Sequence, residues 1–325
     1  MIMNRVSDLL GVRYPIIEGG MAYVGNGELA AAVSNAGGFG QVAVSGRNPD
    51  NFREQINIAA TKTKKPFGVN IPISGYFSHY NEYFEIIKEN KEHLHAVSLG
   101  SGDPRPFIPF FKELGLKVIV IVGTVKHAIN AEKAGADIIV CEGFEAGGRN
   151  SPYELTLFSL VPQVIKAVNV PVVAAGGISD GSGMVAAMAL GAEGVQLGTR
   201  FIATKECQAH EDYKKLLVEA NDQSTTVIER SVGGANRVIK NEYVQQVAEV
   251  EKGNLTPGEL YPYISGFKNK IAALEGKLDD GWVHAGQSVG LIGSIEGVED
   301  VIQQMVHEMQ ETKERLQGSL DKQLL

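Results

Sequence analysis

The sequence lacks the features that mark several classes of protein. Its 325 residues include two cysteines, Cys141 and Cys207, too few for a disulfide-stapled scaffold. It has no run of 18 apolar residues and no signal-type apolar stretch after Met1, so no membrane span or leader is predicted. The net charge is −8 and no block of like charges occurs, which argues against nucleic acid and anionic membranes as partners. We therefore expect a soluble, cytoplasmic protein that acts on a small molecule.

Several catalytic and nucleotide-binding motifs are also missing. No Gly-x-Gly-x-x-Gly follows the first predicted strand and no Gly-Lys-Ser/Thr occurs, so neither a Rossmann nor a P-loop site is supported. The sequence has no Cys-x-x-Cys pair, no Gly-x-Ser-x-Gly elbow and no Ser-His-Asp grouping. His93 and His95 have no third ligand motif nearby, and we expect no metal site.

Short apolar segments recur along the first two thirds of the chain, each followed by a stretch with helical periodicity. Their spacing is the length of one strand plus one crossover helix. Several are continuously apolar, which is typical of parallel strands covered on both faces. The predicted strands span residues 15–18, 39–44, 67–73, 95–99, 117–122, 137–141, 170–174 and 194–197.

These eight βα units predict an α/β fold of the (β/α)8 TIM-barrel type. A doubly wound open sheet is the alternative. After residue 220 the βα period is lost, and residues 221–284 are predicted to form a small, mainly helical domain inserted after strand eight. The last segment carries one apolar helical stripe and is predicted to pack back on the barrel. The predicted domains are therefore 1–220, 221–284 and 285–325.

Glycine is abundant, with 38 residues, or about 12% of the chain against a usual level near 7%. In a TIM barrel the active site lies at the carboxyl ends of the strands. Four glycine clusters fall at such ends: Gly19-Gly20, Gly147-Gly148, Gly176-Gly177 and Gly198. Because glycine leaves backbone N–H groups unshielded, these clusters predict a phosphate-bearing ligand.

Asn70 ends the third predicted strand. Its carboxamide can donate and accept hydrogen bonds together, which suits the pyrimidine edge of a flavin. The alternative is an asparagine that caps the following loop.

Five segments carry a family resemblance: Glu-Gly-Gly-Met-Ala at 18–22, Lys-Pro-Phe-Gly-Val-Asn at 65–70, Glu-Ala-Gly-Gly at 145–148, Val-Val-Ala-Ala-Gly-Gly-Ile at 172–178 and Gly-Val-Gln-Leu-Gly-Thr-Arg-Phe at 194–201. They resemble the nitronate monooxygenase (2-nitropropane dioxygenase) family, which also contains the FMN-dependent enoyl-acyl-carrier-protein reductase II enzymes. The likeness continues through 205–206 and 209–210 to 285–287 and so covers most of the chain.

The resemblance implies an FMN-binding TIM barrel with a small helical substrate domain. It implies that the FMN phosphate lies near the glycines after strands six, seven and eight, and that Met21 and Asn70 lie beside the isoalloxazine ring. The candidate cofactor-binding residues are Gly20, Met21, Asn70, Glu142, Gly147, Gly148, Gly176, Gly177, Gln196, Gly198 and Thr199.

One position departs from the family pattern. Many relatives have a histidine, thought to be catalytic, directly after the Gly-Gly pair, and this sequence has Arg149 there. Arginine stays protonated and cannot act as a base, but it can pair with the two oxygens of an anionic nitronate. Arg149 is therefore a candidate catalytic residue, with a salt bridge to Glu145 or Glu154 as the alternative role. Tyr153 is a second candidate, as a proton donor.

The resemblance implies that the protein is an FMN-dependent oxidoreductase that oxidises anionic alkyl nitronates with O2. The alternatives are an NAD(P)H-dependent reductase of enoyl thioesters and a flavin-binding protein with altered or lost activity. FMN is the expected cofactor, NAD(P)H is a candidate reductant, and a homodimer is a candidate assembly.

Overall fold

The computed structural model describes residues 4–73, 80–253 and 255–323. Eight parallel strands form one sheet, and their bounds are β1 Ile16–Glu18, β2 Gly40–Ala43, β3 Phe67–Pro72, β4 Ala96–Gly100, β5 Lys117–Val122, β6 Ile138–Glu142, β8 Val172–Ala175 and β9 Gly194–Leu197. Three further strands, β7 Gly148–Arg149, β10 Thr225–Ile228 and β11 Asn236–Ile239, form a second sheet.

The fourteen α-helices of the described chain begin and end as follows: α1 Arg5–Leu10, α2 Gly27–Asn35, α3 Pro49–Lys62, α4 Tyr80–Glu89, α5 Ile108–Glu113, α6 Val125–Lys133, α7 Leu157–Ile165, α8 Gly181–Ala189, α9 Thr199–Ile202, α10 Glu211–Val218, α11 Glu242–Val250, α12 Pro257–Ile264, α13 Gly266–Glu275 and α14 Val298–Gln323. Within the described ranges, none of them is long and apolar enough to cross a membrane.

The eight-stranded sheet curls into a barrel. Its strand order is β1-β9-β8-β6-β5-β4-β3-β2, and a parallel bridge between Ile17 and Phe39 brings the two ends of the sheet together. Each predicted strand is present, and the continuously apolar runs are buried on both faces, as the sequence indicated. The TIM-barrel prediction is therefore confirmed, and the open-sheet alternative is wrong.

The interior of the barrel is filled with apolar side chains at its amino end. Val6 and Leu10 of α1 pack against Ile17, Phe39 and Val173, all of them buried. Asn4 caps α1 through its side chain, and Gly11 ends the helix in the left-handed conformation. Helix α1 thus closes one end of the barrel and leaves the carboxyl ends of the strands as its open face.

The segment predicted to be mainly helical contains α11, α12 and α13, and also the two strands β10 and β11. These strands pair antiparallel with each other, and β11 pairs antiparallel with β7, which lies in the long connection after β6. The second sheet therefore joins this segment to the open face of the barrel. At the other end of the chain, α14 packs against α8, where the Glu308 carboxylate accepts from the Gly181 N–H at 2.9 Å.

Candidate functional site

Four polar side chains point into the barrel at its carboxyl end. Glu142 of β6 and Gln196 of β9 both lie beside Ala175 of β8, which faces the interior. Neighbouring residues on parallel strands point to the same face, so both side chains enter the barrel. Asn70 of β3 pairs in the same way with Ser98 of β4. We call Asn70, Ser98, Glu142 and Gln196 the polar ring.

The polar ring is only partly satisfied by protein partners. The Asn70 amide nitrogen donates to the Ser98 hydroxyl at 2.8 Å. The Gln196 Oε1 atom is buried and has no hydrogen-bond partner among the described residues. Burial raises the pKa of Glu142 to about 7, so this carboxyl is partly protonated at neutral pH. A buried acceptor without a donor is costly unless a ligand supplies one.

The glycines predicted from the sequence meet beside this ring. A Cβ on Gly176 would lie 2.8 Å from the Ala146 nitrogen, and one on Gly147 would lie 2.7 Å from the Ala285 carbonyl carbon. Gly148, Gly176 and Gly177 have φ of +94°, +98° and +67°, a left-handed conformation that other residues seldom adopt. We call Gly147, Gly148, Gly176 and Gly177 the glycine cradle.

Further contacts bring the remaining candidate residues to the same place. The Thr199 hydroxyl accepts from the Gly286 N–H at 2.9 Å, which ties the start of α9 to the chain beside the cradle. A Cβ on Gly20 would lie 2.0 Å from Asn70 Oδ1, and one on Gly198 would lie 3.9 Å from Met21 Sδ. The structure thus brings together all eleven candidate cofactor-binding residues at the open face of the barrel.

Arg149 lies in β7, opposite Asn236 of β11. Its Nη2 atom is 3.1 Å from Glu229 Oε2, and Asn236 donates to the same carboxylate at 2.9 Å. The alternative role, a salt bridge from Arg149 to Glu145 or Glu154, is therefore not formed among the residues that the structure describes. Glu145 accepts from the Leu157 N–H, and Glu154 pairs with Arg230. The Arg149 side chain is 57% exposed, whereas that of Glu229 is 4% exposed.

His284 is the residue that sequence reasoning missed. Its Cδ2 atom lies 3.9 Å from where a Cβ on Gly148 would stand, and its ring packs edge-on against Trp282. Burial, with a smaller effect from the Arg149 charge, lowers the pKa of His284 to about 4, so the imidazole is neutral. Its position directly before the Ala-Gly-Gln segment at 285–287 was the signal in the sequence. Tyr153, in contrast, is 70% exposed and lies outside the polar ring.

Among the described residues, no group of three His, Cys, Asp or Glu side chains is placed to hold a metal ion. The open face presents the exposed guanidinium of Arg149, the neutral imidazole of His284 and the Glu142 carboxyl with its raised pKa.

Comparisons with known proteins agree on one family. A sequence model described as nitronate monooxygenase matches residues 3–90 and 74–308. A probable nitronate monooxygenase from Staphylococcus saprophyticus is 31% identical over 349 residues, covering 93% of this chain and 98% of that protein. The structure of FabK from Thermotoga maritima superposes with a TM-score of 0.92 at 41% identity, covering 98% of this chain and 100% of that one.

A further relative is named for a coenzyme A thioester. The (3aS,4S,5R,7aS)-5-hydroxy-7a-methyl-1-oxo-octahydro-1H-indene-4-carboxyl-CoA dehydrogenase of Rhodococcus jostii is 35% identical over 246 residues, covering 76% of this chain and 68% of that protein.

The raised pKa of Glu142 predicts a pH-dependent stability. The unfolded carboxyl ionises near its ordinary value of 4.5, whereas the folded one ionises near 7. The free energy of unfolding should therefore fall as the pH rises from 4.5 to 7, by up to about 3 kcal/mol from this group. Glu142→Gln should remove that fall, and urea denaturation at pH 5 and pH 8, at matched flavin content, measures it.

Glu113 is exposed, and Glu113→Gln is the control. Its free energy of unfolding should change with pH as that of the parent protein does. If the free energy of unfolding changed equally with pH in Glu142→Gln and in the parent, Glu142 would not titrate in this range.

Proposed function

The chain belongs to the nitronate monooxygenase family and is an FMN-dependent oxidoreductase, and we propose that it oxidises anionic alkyl nitronates with O2. The observation that carries the proposal is the exposed guanidinium of Arg149 beside Gly148. A nitronate is already deprotonated, so its binding needs a cation and no base. Arg149 supplies a cation that stays protonated, and its planar fork matches two oxygens.

The residues at the open face fit FMN. The orphaned Gln196 Oε1 accepts a hydrogen bond in this proposal, and the Asn70 carboxamide lies in the same ring. The backbone of the glycine cradle, with Thr199, holds the phosphate, because no Cβ stands between its N–H groups and the ligand. When bound, FMN supplies the redox chemistry, and the chain supplies position and electrostatics.

Glu229 positions Arg149 in this scheme. The Glu229 carboxylate is nearly fully buried, and it pairs with both Arg149 and Asn236. These two contacts hold the guanidinium of Arg149 against the second sheet. Burial raises the pKa of Glu229, and the Arg149 charge opposes that rise. The neutral His284 ring lies beside Gly148 and adds no charge to the site.

A second candidate is an NAD(P)H-dependent reductase of enoyl thioesters, with Tyr153 or another donor supplying the proton. The Rhodococcus jostii relative, named for a carboxyl-CoA compound, favours it. A neutral imidazole such as His284 can donate its N–H to a thioester carbonyl.

Adding a side chain at Gly176, where neighbouring backbone packs closely, should weaken FMN binding. Gly176→Ala adds a Cβ 2.8 Å from the Ala146 nitrogen at a φ of +98°, so the cradle must shift. Purified protein should retain several-fold less FMN, measured by flavin absorbance per protein. Gly115→Ala is the matched control, because Gly115 also has a positive φ but no atom within 4 Å of its added Cβ. Equal flavin retention in the two variants would contradict the placement of the cradle.

An anaerobic titration distinguishes the two candidate functions. Propionate 3-nitronate alone should bleach the flavin absorbance of the purified protein. Bleaching by NADPH alone, with recovery on adding a crotonyl thioester, would instead establish the second candidate. A protein that contains no flavin would overturn both.

Arg149→Ala should raise the KM for the nitronate about tenfold or more, the effect of losing a charge-assisted hydrogen bond. Steady-state oxygen consumption measures this. Arg230→Ala removes another exposed arginine from the same region, one that pairs with Glu154, and should leave KM within about twofold of the parent value. An unchanged KM in Arg149→Ala would show that Arg149 pairs with Glu229 but does not bind the nitronate.

A further inference from the structure

The seam where the barrel closes, between β1 and β2, changes its hydrogen bonding toward the carboxyl ends of the strands. The Phe39 N–H donates to the Ile16 carbonyl at 2.8 Å, and the Glu18 N–H donates to the Phe39 carbonyl at 2.9 Å. The next bond of a regular parallel ladder would run from the Gln41 N–H to the Glu18 carbonyl. Side chains replace that bond here.

Glu18 and Gln41 form a reciprocal pair at this point of the seam. The Gln41 N–H donates to Glu18 Oε2 at 3.0 Å, and the side-chain nitrogen of Gln41 donates to the Glu18 carbonyl at 2.5 Å. Both residues are fully buried. The two side chains therefore lie between the ends of β1 and β2, in place of a direct bond between the main chains.

The pair lacks a hydrogen-bond donor. Glu18 Oε1 and Gln41 Oε1 are buried acceptors without a partner among the described residues. Because the Gln41 side-chain nitrogen already donates to the Glu18 carbonyl, its Oε1 atom needs a donor from elsewhere. A neutral Glu18 carboxyl has an O–H group that can supply this donor, and it also removes an ionised group from a buried position.

Arg47 and Cys207 are the titratable groups of other elements that face Glu18 in the described part of the chain. The Arg47 guanidinium donates to three main-chain carbonyls and to Asn51, and forms no ion pair with Glu18 among the described residues. Burial raises the pKa of the Cys207 thiol to about 12. Burial also raises the pKa of Glu18 well above its ordinary value, against smaller opposing effects of the Gln41 N–H and the Arg47 charge.

Glu18 is directly followed by the loop that reaches the polar ring. The Gly19 N–H donates to the Leu197 carbonyl at 2.8 Å, so the chain leaves β1 beside β9. Gly20 then lies so close to Asn70 that an added Cβ would come within 2.0 Å of Oδ1. The position of this loop therefore depends on how β1 and β2 are held at their carboxyl ends.

We propose that Glu18 is a positioning residue for the cofactor site. In its neutral form it donates to Gln41 Oε1, and this pair holds the loop of Gly19, Gly20 and Met21 against the polar ring. The presence of flavin beside that loop rests on the proposed function, whereas the neutral state of Glu18 does not.

Infrared spectroscopy of the flavin-loaded protein at pH 8 tests the neutral state. Exposed carboxylates are ionised at this pH, and Glu142, with its pKa of about 7, is mostly ionised. The spectrum of the parent minus that of Glu18→Gln should contain the C=O stretching band of a neutral carboxyl. The same difference taken with Glu113→Gln, which alters an exposed carboxylate, should lack that band. A Glu18→Gln difference without the band would overturn the proposal.

The dissociation constant of FMN, measured from the fluorescence released on dilution of the flavin-loaded protein, tests the positioning role. Glu18→Gln should bind FMN within about twofold of the parent, because its carboxamide accepts from the Gln41 N–H and supplies a donor for Oε1. Glu18→Leu has a similar volume and no polar atom, and it should bind FMN about tenfold more weakly. Gln41→Leu removes the same hydrogen bond from the other side and replaces Glu18→Leu if that variant does not fold.

Parental FMN affinity in the leucine variant would show that Glu18 contributes to packing alone and would overturn the positioning role. A loss in Glu18→Gln as large as that in the leucine variant would mean that an ionised carboxylate is needed, which contradicts the neutral form. A purified protein without flavin would overturn the proposed function instead, and the infrared comparison would still decide the state of Glu18.

Discussion

The closure of the barrel is the constraint on which the rest of the structure depends. Once the eight strands curl and Ile17 meets Phe39, every second side chain of each strand enters an interior that water does not reach freely. At the amino end that space is filled by Val6 and Leu10 of α1. At the carboxyl end it holds the polar ring, where Gln196 has an orphaned acceptor and Glu142 has a raised pKa. A buried acceptor without a partner is costly unless a ligand supplies a donor, so the carboxyl end of the barrel is the end proposed to bind the ligand, whereas the amino end is filled by apolar packing.

The glycine cradle follows from the same closure. Its segments come after different strands, and they approach each other because the strands end at one rim. A side chain at Gly147 or Gly176 would collide with backbone from a neighbouring segment, so the close packing of the rim itself requires glycine. The same absence of Cβ atoms leaves the backbone open to a phosphate. The packing of the rim and the proposed phosphate contact therefore call for glycine at the same positions.

The second sheet determines the surroundings of Arg149, the residue proposed to bind the substrate. Strand β7 belongs to a barrel connection, yet it pairs with β11, and this pairing sets Arg149 opposite Asn236 and within reach of Glu229. The buried carboxylate and the exposed guanidinium form a pair whose cation faces outward. The same arrangement keeps His284 beside Gly148 and, through burial and the Arg149 charge, neutral. The position after the Gly-Gly pair thus carries a permanent charge, and the imidazole nearby carries none.

The sequence by itself determined the barrel, its strands and the glycines at their ends, because these depend on local patterns: continuous apolar runs, the βα spacing and the positions of residues without a Cβ. It also placed the candidate flavin residues through segments that resemble one family. The tertiary structure alone decided the partner of Arg149, the pairing of β11 with β7 and the neutrality of His284. Each of these depends on residues 80 or more positions apart in the chain, or on burial, and no local pattern carries the free energy of such long-range contacts.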